Sequence, residues 1–317
     1  MKIGFLTTSI SSTNEELTTH DLAFAALQRS HKVYFFTVFD MFVKDKKIFA
    51  NARLVQKKEI ETRIELGRQI KNIESEKLLL TELDVLLLRH KIDPTDKNHQ
   101  FHKAAREYSF HLSEQGVKVW NNPKYLQFLS SKLAYLSLDP KILPKKQLVS
   151  ASYNDLYYFC KDELNYEGVM KPLGGKGGEN IYFTEKRNLQ NNLKALLKYG
   201  PVLIQSYIPN TGDKRILLLN GEPIGQYLRV AKEGEFLNNI HSGGKAVKSE
   251  LTDNDKKIID HIKPVLKKYG MVFVGIDILG NYLSEINTEN PGGTVRAERF
   301  GNFNSREKVI EWIENNI

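Results

Sequence analysis

The chain has 317 residues, 41% of them hydrophobic and 26% charged, a globular composition with enough length for two domains or one large one. Its net charge of +8 lies in short lysine clusters such as Lys44-Asp-Lys-Lys47, interleaved with acids and without aromatic–basic motifs for stacking bases. No apolar run approaches a membrane span, the opening residues do not read as a signal peptide, and a lone Cys160 excludes an internal disulfide or a thiolate-rich metal site. These features point to a reducing cytoplasm, to Cys160 as a small core residue, and to a charge that suits nucleotides and carboxylates.

Residues 2–7 read as a buried strand, 21–29 as a helix and 33–38 as a second strand, the opening of an α/β layer of nucleotide-binding type. No G-x-G-x-x-G follows the first strand, so no dinucleotide site is expected there. Residues 61–80 read as largely helical and 83–88 as a third strand, which runs into Arg89-His90-Lys91-Ile92-Asp93-Pro94. Cations at the carboxyl edge of a parallel sheet lie where ligands dock, although a solvated charged loop explains these residues equally well. A helix over 100–115 and a strand over 118–120 follow, and Asn121-Asn122-Pro123 marks a domain boundary.

Beyond it, a helix over 125–138 carries Lys132, and strands over 145–150 and 168–172 flank a helix over 154–164. The second strand delivers Lys171 into Gly174-Gly-Lys-Gly-Gly178, a loop whose bare amides can approach phosphates but which lacks the P-loop pattern. After a helix over 189–198, the strand over 201–207 leads through Gln205, Tyr207 and Ile208 to Gly212-Asp213-Lys214-Arg215. Asn220-Gly221 then turns a hairpin between 216–219 and 225–230, the return strand carrying Arg229. A polar loop ends in Asn238-Asn239-Ile-His-Ser-Gly243-Gly244, and a helix over 253–269 is capped by Thr252 or Asp253.

Two short strands, 272–279 and 282–286, meet at a Gly280-Asn281 turn. Alternation places Asp277 on the opposite face from Ile276 and Ile278, and puts Glu285 and Asn287 on a shared face. Paired as a hairpin, the three converge as hard oxygen ligands suited to Mg²⁺ held with phosphates. The wet face of an ordinary antiparallel hairpin accounts for the same pattern equally well.

In this order and near this spacing, Val169 to Gly178, Gly212 to Ile216, Asn239 to Gly244, Val274 to Asp277 and Leu283 to Asn287 resemble the ATP-grasp ligases. The resemblance is closest to the bacterial type of glutathione synthetase and covers nearly the whole chain. It implies an α/β (α+β) protein with a Rossmann-like pre-ATP-grasp substrate domain over 1–122. An ATP-grasp domain of mixed and antiparallel sheets then spans 123–317, with a lid subdomain over about 133–207 and a catalytic part over about 208–317. By the same resemblance Lys132 and Lys171 would bind the ATP phosphates, and Gly174, Gly175, Gly177 and Gly178 would close over them. Gln205, Tyr207 and Ile208 would lie beside the adenine. Asp277, Glu285 and Asn287 would hold Mg²⁺, with Mn²⁺ as an alternative, Asn287 also touching ATP. Arg89, Asp213, Lys214, Arg215, Arg229, Asn239, Gly243 and Gly244 would hold the peptide substrate, with Arg215 and Arg229 catalytic.

The implied reaction joins γ-glutamylcysteine to glycine through an acyl phosphate, releasing ADP and phosphate. The resemblance further implies a cytoplasmic homo-oligomer without nucleic-acid or membrane partners; a different dipeptide or amine acceptor is the alternative. A non-catalytic nucleic-acid-binding protein would need neither the oxygen trio nor both lysines. The chain departs from the family at the acceptor end. Leu237 stands where an Arg is usual, Thr288-Glu-Asn-Pro-Gly-Gly293 replaces Val-Thr-Ser-Pro-Thr-Gly, and Arg296 falls one place late. Residues 230–244, rich in Gly, Asn and charge, are expected to close as a lid that keeps water from the intermediate.

Overall fold

The computed structural model describes the chain apart from residues 11–13, 58–59, 93–95, 174–179 and 233–243. Strand β1 (Lys2–Thr7), helix α1 (Thr18–Gln28) and strand β2 (Lys32–Thr37) form the expected unit. β1 and β2 run parallel with Phe5 beside Phe35, and α1 buries Leu22, Ala23, Ala25 and Ala26 against them. A hairpin of β3 (Met41–Lys44) and β4 (Lys47–Val55) extends the β2 edge. Next come α2 (Arg63–Gln69), β5 (Glu76–Leu79), β6 (Val85–Arg89), α3 (His99–Glu114) and β7 (Lys118–Trp120). The strand order is β3-β4-β2-β1-β6-β7, with β5 paired to β4. β1, β2, β6 and β7 are parallel, so their carboxyl ends share one edge.

Helix α4 (Leu126–Ser130) packs into the large core through Leu126 and Leu129, and a smaller layer follows: β8 (Gln147–Ser150), α5 (Tyr153–Tyr158), β9 (Gly168–Pro172), β10 (Tyr182–Phe183), α6 (Leu189–Leu197) and β11 (Val202–Ser206). Its antiparallel sheet, β10-β9-β11-β8, has a core of its own that includes Leu156, Cys160, Met170, Leu193 and Ile204. Cys160 is buried there, and burial pushes its thiol up to about 12.

The last layer comprises β12 (Asp213–Leu219), β13 (Glu222–Val230), β14 (Lys245–Val247), α7 (Asp253–Lys268), β15 (Phe273–Leu279), β16 (Tyr282–Asn287), α8 (Thr294–Gly301) and α9 (Ser305–Asn315). Its antiparallel sheet has the order β14-β13-β12-β15-β16. Asn220 and Gly221 both take positive φ, 50° and 82°, as the tight hairpin turn requires. Thr252, not Asp253, caps α7: its side chain accepts from the Asp255 amide while the Asp255 carboxylate accepts from the Thr252 amide. This layer shares its cores with the first one, Leu6, Leu86 and Leu88 clustering with Ile216, Val274 and Ile276.

Several expected elements are reorganised. The helix expected over 61–80 shrinks to α2 and a 3₁₀ turn, Ile70–Asn72, because 76–79 find strand partners in β4. The helix over 125–138 breaks at Ser131, whose extended backbone and side-chain bond to the Leu133 amide restart the chain as a 3₁₀ turn, Lys132–Ser137. α5 ends early and continues as a π turn, Phe159–Glu163. β3, β4, β10, β14, α8 and α9 form where the sequence pattern raises no expectation of an element.

Candidate active site

In the hairpin of β15 and β16, Asp277 stands directly opposite Glu285 and Gly275 opposite Asn287, with a register irregularity after Asp277. The three expected oxygen ligands therefore gather, and the Asn287 amide nitrogen donates to Asp277 Oδ2 at 3.3 Å. On the other side of β15, Arg215 of β12 pairs in register with Asp277. Its Nε lies 2.5 Å from Asp277 Oδ1 and its Nη2 2.9 Å from Oδ2. Arg229 of β13 adds Nη2 at 2.9 Å from Oδ2, and its Nε donates to Asp213.

Asp277 is accordingly not on a wet face. It is 4% exposed, because two guanidinium groups cover it. Burial by itself would raise its carboxyl, but Arg215 and then Arg229 outweigh burial and hold it down at about 2. Burial dominates at Asp213 and raises it to about 6 against the pull of Arg229. Arg215 stays charged: burial opposes it, and the Asp277 carboxylate more than compensates.

Facing this network are two lysines. Lys171, near the end of β9, is 7% exposed and has no hydrogen-bond or ion-pair partner among the described residues. Burial, reinforced by the Lys132 charge and opposed by Glu285, lowers its ammonium to about 8. Lys132 opens the 3₁₀ turn after Ser131 and donates to the Leu173 carbonyl at 3.4 Å; burial lowers its pKa as well. A cleft beside them is lined by Ser131, Lys132, Tyr135, Leu283, Glu285 and Ile286. Two neighbouring desolvated ammonium groups repel one another, and a polyanion between them would relieve both charges.

The remaining expected residues divide. Arg89, at the end of β6, is buried and committed: it donates to Thr19 Oγ1 at 3.1 Å and to the Pro291 carbonyl at 2.9 Å. Burial lowers its guanidinium to about 9. Lys214 leaves the cluster, because strand alternation turns it to the other face of β12, where it pairs with Asp255 at the start of α7. Gln205 and Ile208 are buried at the end of β11 and just past it; Ile208 abuts the Gly280 turn, and Tyr207 packs edge-on to Phe183. Gly244 precedes β14. Gly174, Gly175, Gly177, Gly178, Asn239 and Gly243 lie outside the described residues, as does most of the expected lid over 230–244.

Sequence reasoning did not single out the residues that seat the loop after β16. The Asn121 side chain donates to the carbonyls of Phe273 and Thr288 and accepts from the amides of Val272 and Phe273. Thr18 Oγ1 accepts from the Gly293 amide, and Arg106 pairs with Glu289. Asn121 was legible only as a chain break; nothing local flags the other contacts.

The donor set of Asp277, Glu285 and Asn287 fits a hard divalent cation such as Mg²⁺. It is all oxygen, and the Glu285 carboxylate makes no hydrogen bond or ion pair among the described residues. Among those residues no group of three or more His, Cys, Asp or Glu gathers as an alternative.

An antiparallel sheet bearing a carboxylate–amide trio, with a second antiparallel sheet bearing Lys171, and Lys132 beside it, is the arrangement of the ATP-grasp class of ligase. Solved structures agree on the fold over the whole length. D-alanine–D-alanine ligase from Bacillus anthracis complexed with ATP is 17% identical, with a TM-score of 0.58 over 99% of this chain and 96% of that one. The ATP-grasp ligase PsnB, complexed with a phosphomimetic variant of its minimal precursor, Mg and ADP, is 15% identical, with a TM-score of 0.66 over 99% and 97%.

Residues 1–127 match the prokaryotic glutathione synthetase N-terminal domain, and residues 131–302 the prokaryotic glutathione synthetase ATP-grasp domain. The glutathione synthetase of Coxiella burnetii is 34% identical over 99% of this chain and 96% of its own length. That of Buchnera aphidicola from Schizaphis graminum is 30% identical over 100% and 98%, and that of Prochlorococcus marinus 38% over 64% and 68%. The chain belongs to the prokaryotic glutathione synthetase family, whose members are ADP-forming ligases of C–N bonds. No described helix is long and apolar enough to cross a membrane.

Proposed function

We propose that this ligase joins γ-glutamylcysteine to glycine, using ATP and Mg²⁺. The observation that carries the reading is that Glu285, which stands opposite Asp277 of the Asp277–Arg215–Arg229 network, lies near enough to Lys132 and Lys171 for its charge to act on both. In the proposed reaction a substrate carboxylate oxygen attacks the γ-phosphorus of ATP, ADP leaves, and an acyl phosphate forms. The acceptor amine then adds to the acyl carbon, phosphate departs, and the amine gives up its proton.

Phosphoryl transfer asks mainly for positioning and charge neutralisation. Lys132 and Lys171 hold the phosphates, and Gly174, Gly175, Gly177 and Gly178 close over them. Gln205, Tyr207 and Ile208 border the adenine. Asp277, Glu285 and Asn287 hold Mg²⁺, which when bound neutralises charge on the transferring phosphoryl group. Arg215 and Arg229 sit where an oxyanion forms as the amine adds; a preorganised donor of this kind is worth roughly 10²–10³ in rate. Asn239, Gly243 and Gly244 belong to the covering loop that limits hydrolysis of the acyl phosphate. We place the lid subdomain at about 133–207 and the domain boundary at 122/123.

A second reading, another dipeptide or amine as substrate, draws support from the buried Glu289 in the loop after β16, where the chain departs from the family pattern. An ADP-release screen pairing γ-glutamylcysteine with glycine, β-alanine, alanine and serine tests both. Glycine should give the highest kcat/KM, with β-alanine and alanine slower by no more than ~10–200-fold, the limit for sensing one methylene. Preference for an unrelated amine would replace the first reading by the second.

A further inference from the structure

The loop after β16 is held from several sides. Asn121 Nδ2 donates to the Thr288 carbonyl at 2.7 Å, Arg89 Nη2 to that of Pro291 at 2.9 Å, and Arg215 Nη1 to that of Gly292 at 3.1 Å. At its end the Gly293 amide donates to Thr18 Oγ1 at 2.8 Å. Among these contacts lies one ion pair, between Glu289, 5% exposed, and Arg106 of α3, 8% exposed.

That pair is poorly suited to a purely stabilising role. Among the described residues, Arg106 Nε and Nη1 are buried without a hydrogen-bond partner, as is Nε2 of the neighbouring His90. His90 in turn meets His102 Nδ1 to Nδ1 at 3.2 Å, and burial, together with the Arg106 charge, disfavours a protonated His90. A buried charge pair with unfilled donors recovers little of its desolvation cost, and an apolar pair of similar volume would serve the core as well or better. What the pair does supply is a fixed position for Glu289. Three residues on, the Gly292 carbonyl accepts from Arg215, the same guanidinium that forks onto Asp277.

We propose that Arg106 and Glu289 form a latch across the seam between the first and last layers, fixing residues 288–293 and, through the Gly292 carbonyl, the Arg215 guanidinium at the amine-acceptor end of the site. Both are positioning residues that set acceptor use; neither touches Lys132 or Lys171 of the phosphate end. The inference rests on the reading of 288–293 as the acceptor end.

The test replaces both charges together in the full chain, Arg106→Met with Glu289→Met. The double variant should keep the parent's thermal midpoint and its ATP affinity, measured by calorimetry. KM for the acceptor amine should rise about tenfold or more, within the ~10²-fold that an ångström of misplacement can cost. Backbone amides of 288–293 should exchange faster with deuterium while β15 and β16 are unchanged. Arg106→Gln with Glu289→Gln, which removes both charges and keeps polar side chains of similar shape, gives the same reading if the Met double variant fails to fold. Parental KM together with parental exchange at 288–293 would overturn the latch. If the parent turns over no amine with γ-glutamylcysteine, the proposed substrates fall. The exchange comparison, which needs no substrate, then decides the latch alone.

Discussion

Asp277 and Glu285 face each other across one hairpin yet have opposite surroundings, and substitution should separate them. The Glu285 carboxylate makes no hydrogen bond or ion pair among the described residues and only lends its charge to the neighbouring Lys132 and Lys171, so Glu285→Gln should remove ligation at a stability cost on the order of 1 kcal/mol. Asp277→Asn should also remove ligation, but it leaves Arg215 and Arg229 buried without their shared carboxylate, a loss on the order of 3–5 kcal/mol. Thermal melts beside an ADP-release assay check both; an Asp277→Asn protein as stable as its parent would contradict the ion-pair network. Lys171 gives a pH signature. With its ammonium lowered to about 8, the folded protein releases that proton at a pH where the unfolded chain still holds it. Lys171 thus makes stability rise with pH from about 8 to the ordinary lysine value, and below that window its buried charge is a cost. For ATP the sign reverses, because the phosphates need the charge. ATP affinity measured by calorimetry should fall as pH rises above about 8, by up to roughly tenfold per pH unit, and Lys171→Ala should bind weakly with that slope gone. An unaltered slope in the variant would remove Lys171 from the phosphate site.

At the scale of elements, β8 to β11 with α5 and α6 enclose a core separate from the rest, running from Leu156 to Ile204 with Leu148 packed on it. A layer with its own small core can open without breaking the larger ones, which is what a cover over ATP must do. Native-state hydrogen exchange should find amides of β9 and β11 opening at lower free energy than those of β1, β12 and β15. One common opening free energy for all five strands would count against the smaller layer as a separately opening cover. The Asn220-Gly221 and Gly280-Asn281 turns were plain in the sequence, since positive φ leaves few residue types to choose from. Strand β5 was not, because its partner β4 lies more than twenty positions upstream and its own residues, Glu76 to Leu79, carry a helical pattern just as well.

Across the whole molecule the first and last layers behave as one body: Leu6 and Val274 share one core, Ile3 and Val309 another, and Trp120 meets Trp312 edge-on at 4.5 Å. The sequence by itself determined the α/β opening, the two hairpins, the shared face of Asp277, Glu285 and Asn287, and the strand that runs through Lys171 into a glycine-rich stretch. Each of these follows from strand alternation, turn chemistry or motif order within a few tens of residues. Tertiary structure alone decided that Asp277 is buried under Arg215 and Arg229, that Lys214 faces away, and that Arg89 anchors a loop. It also paired Arg106 with Glu289, 183 positions apart. Alternation says which side of a strand a residue takes. What covers that side depends on which strands and layers pack there, and that choice is made by long-range burial, which no local pattern encodes.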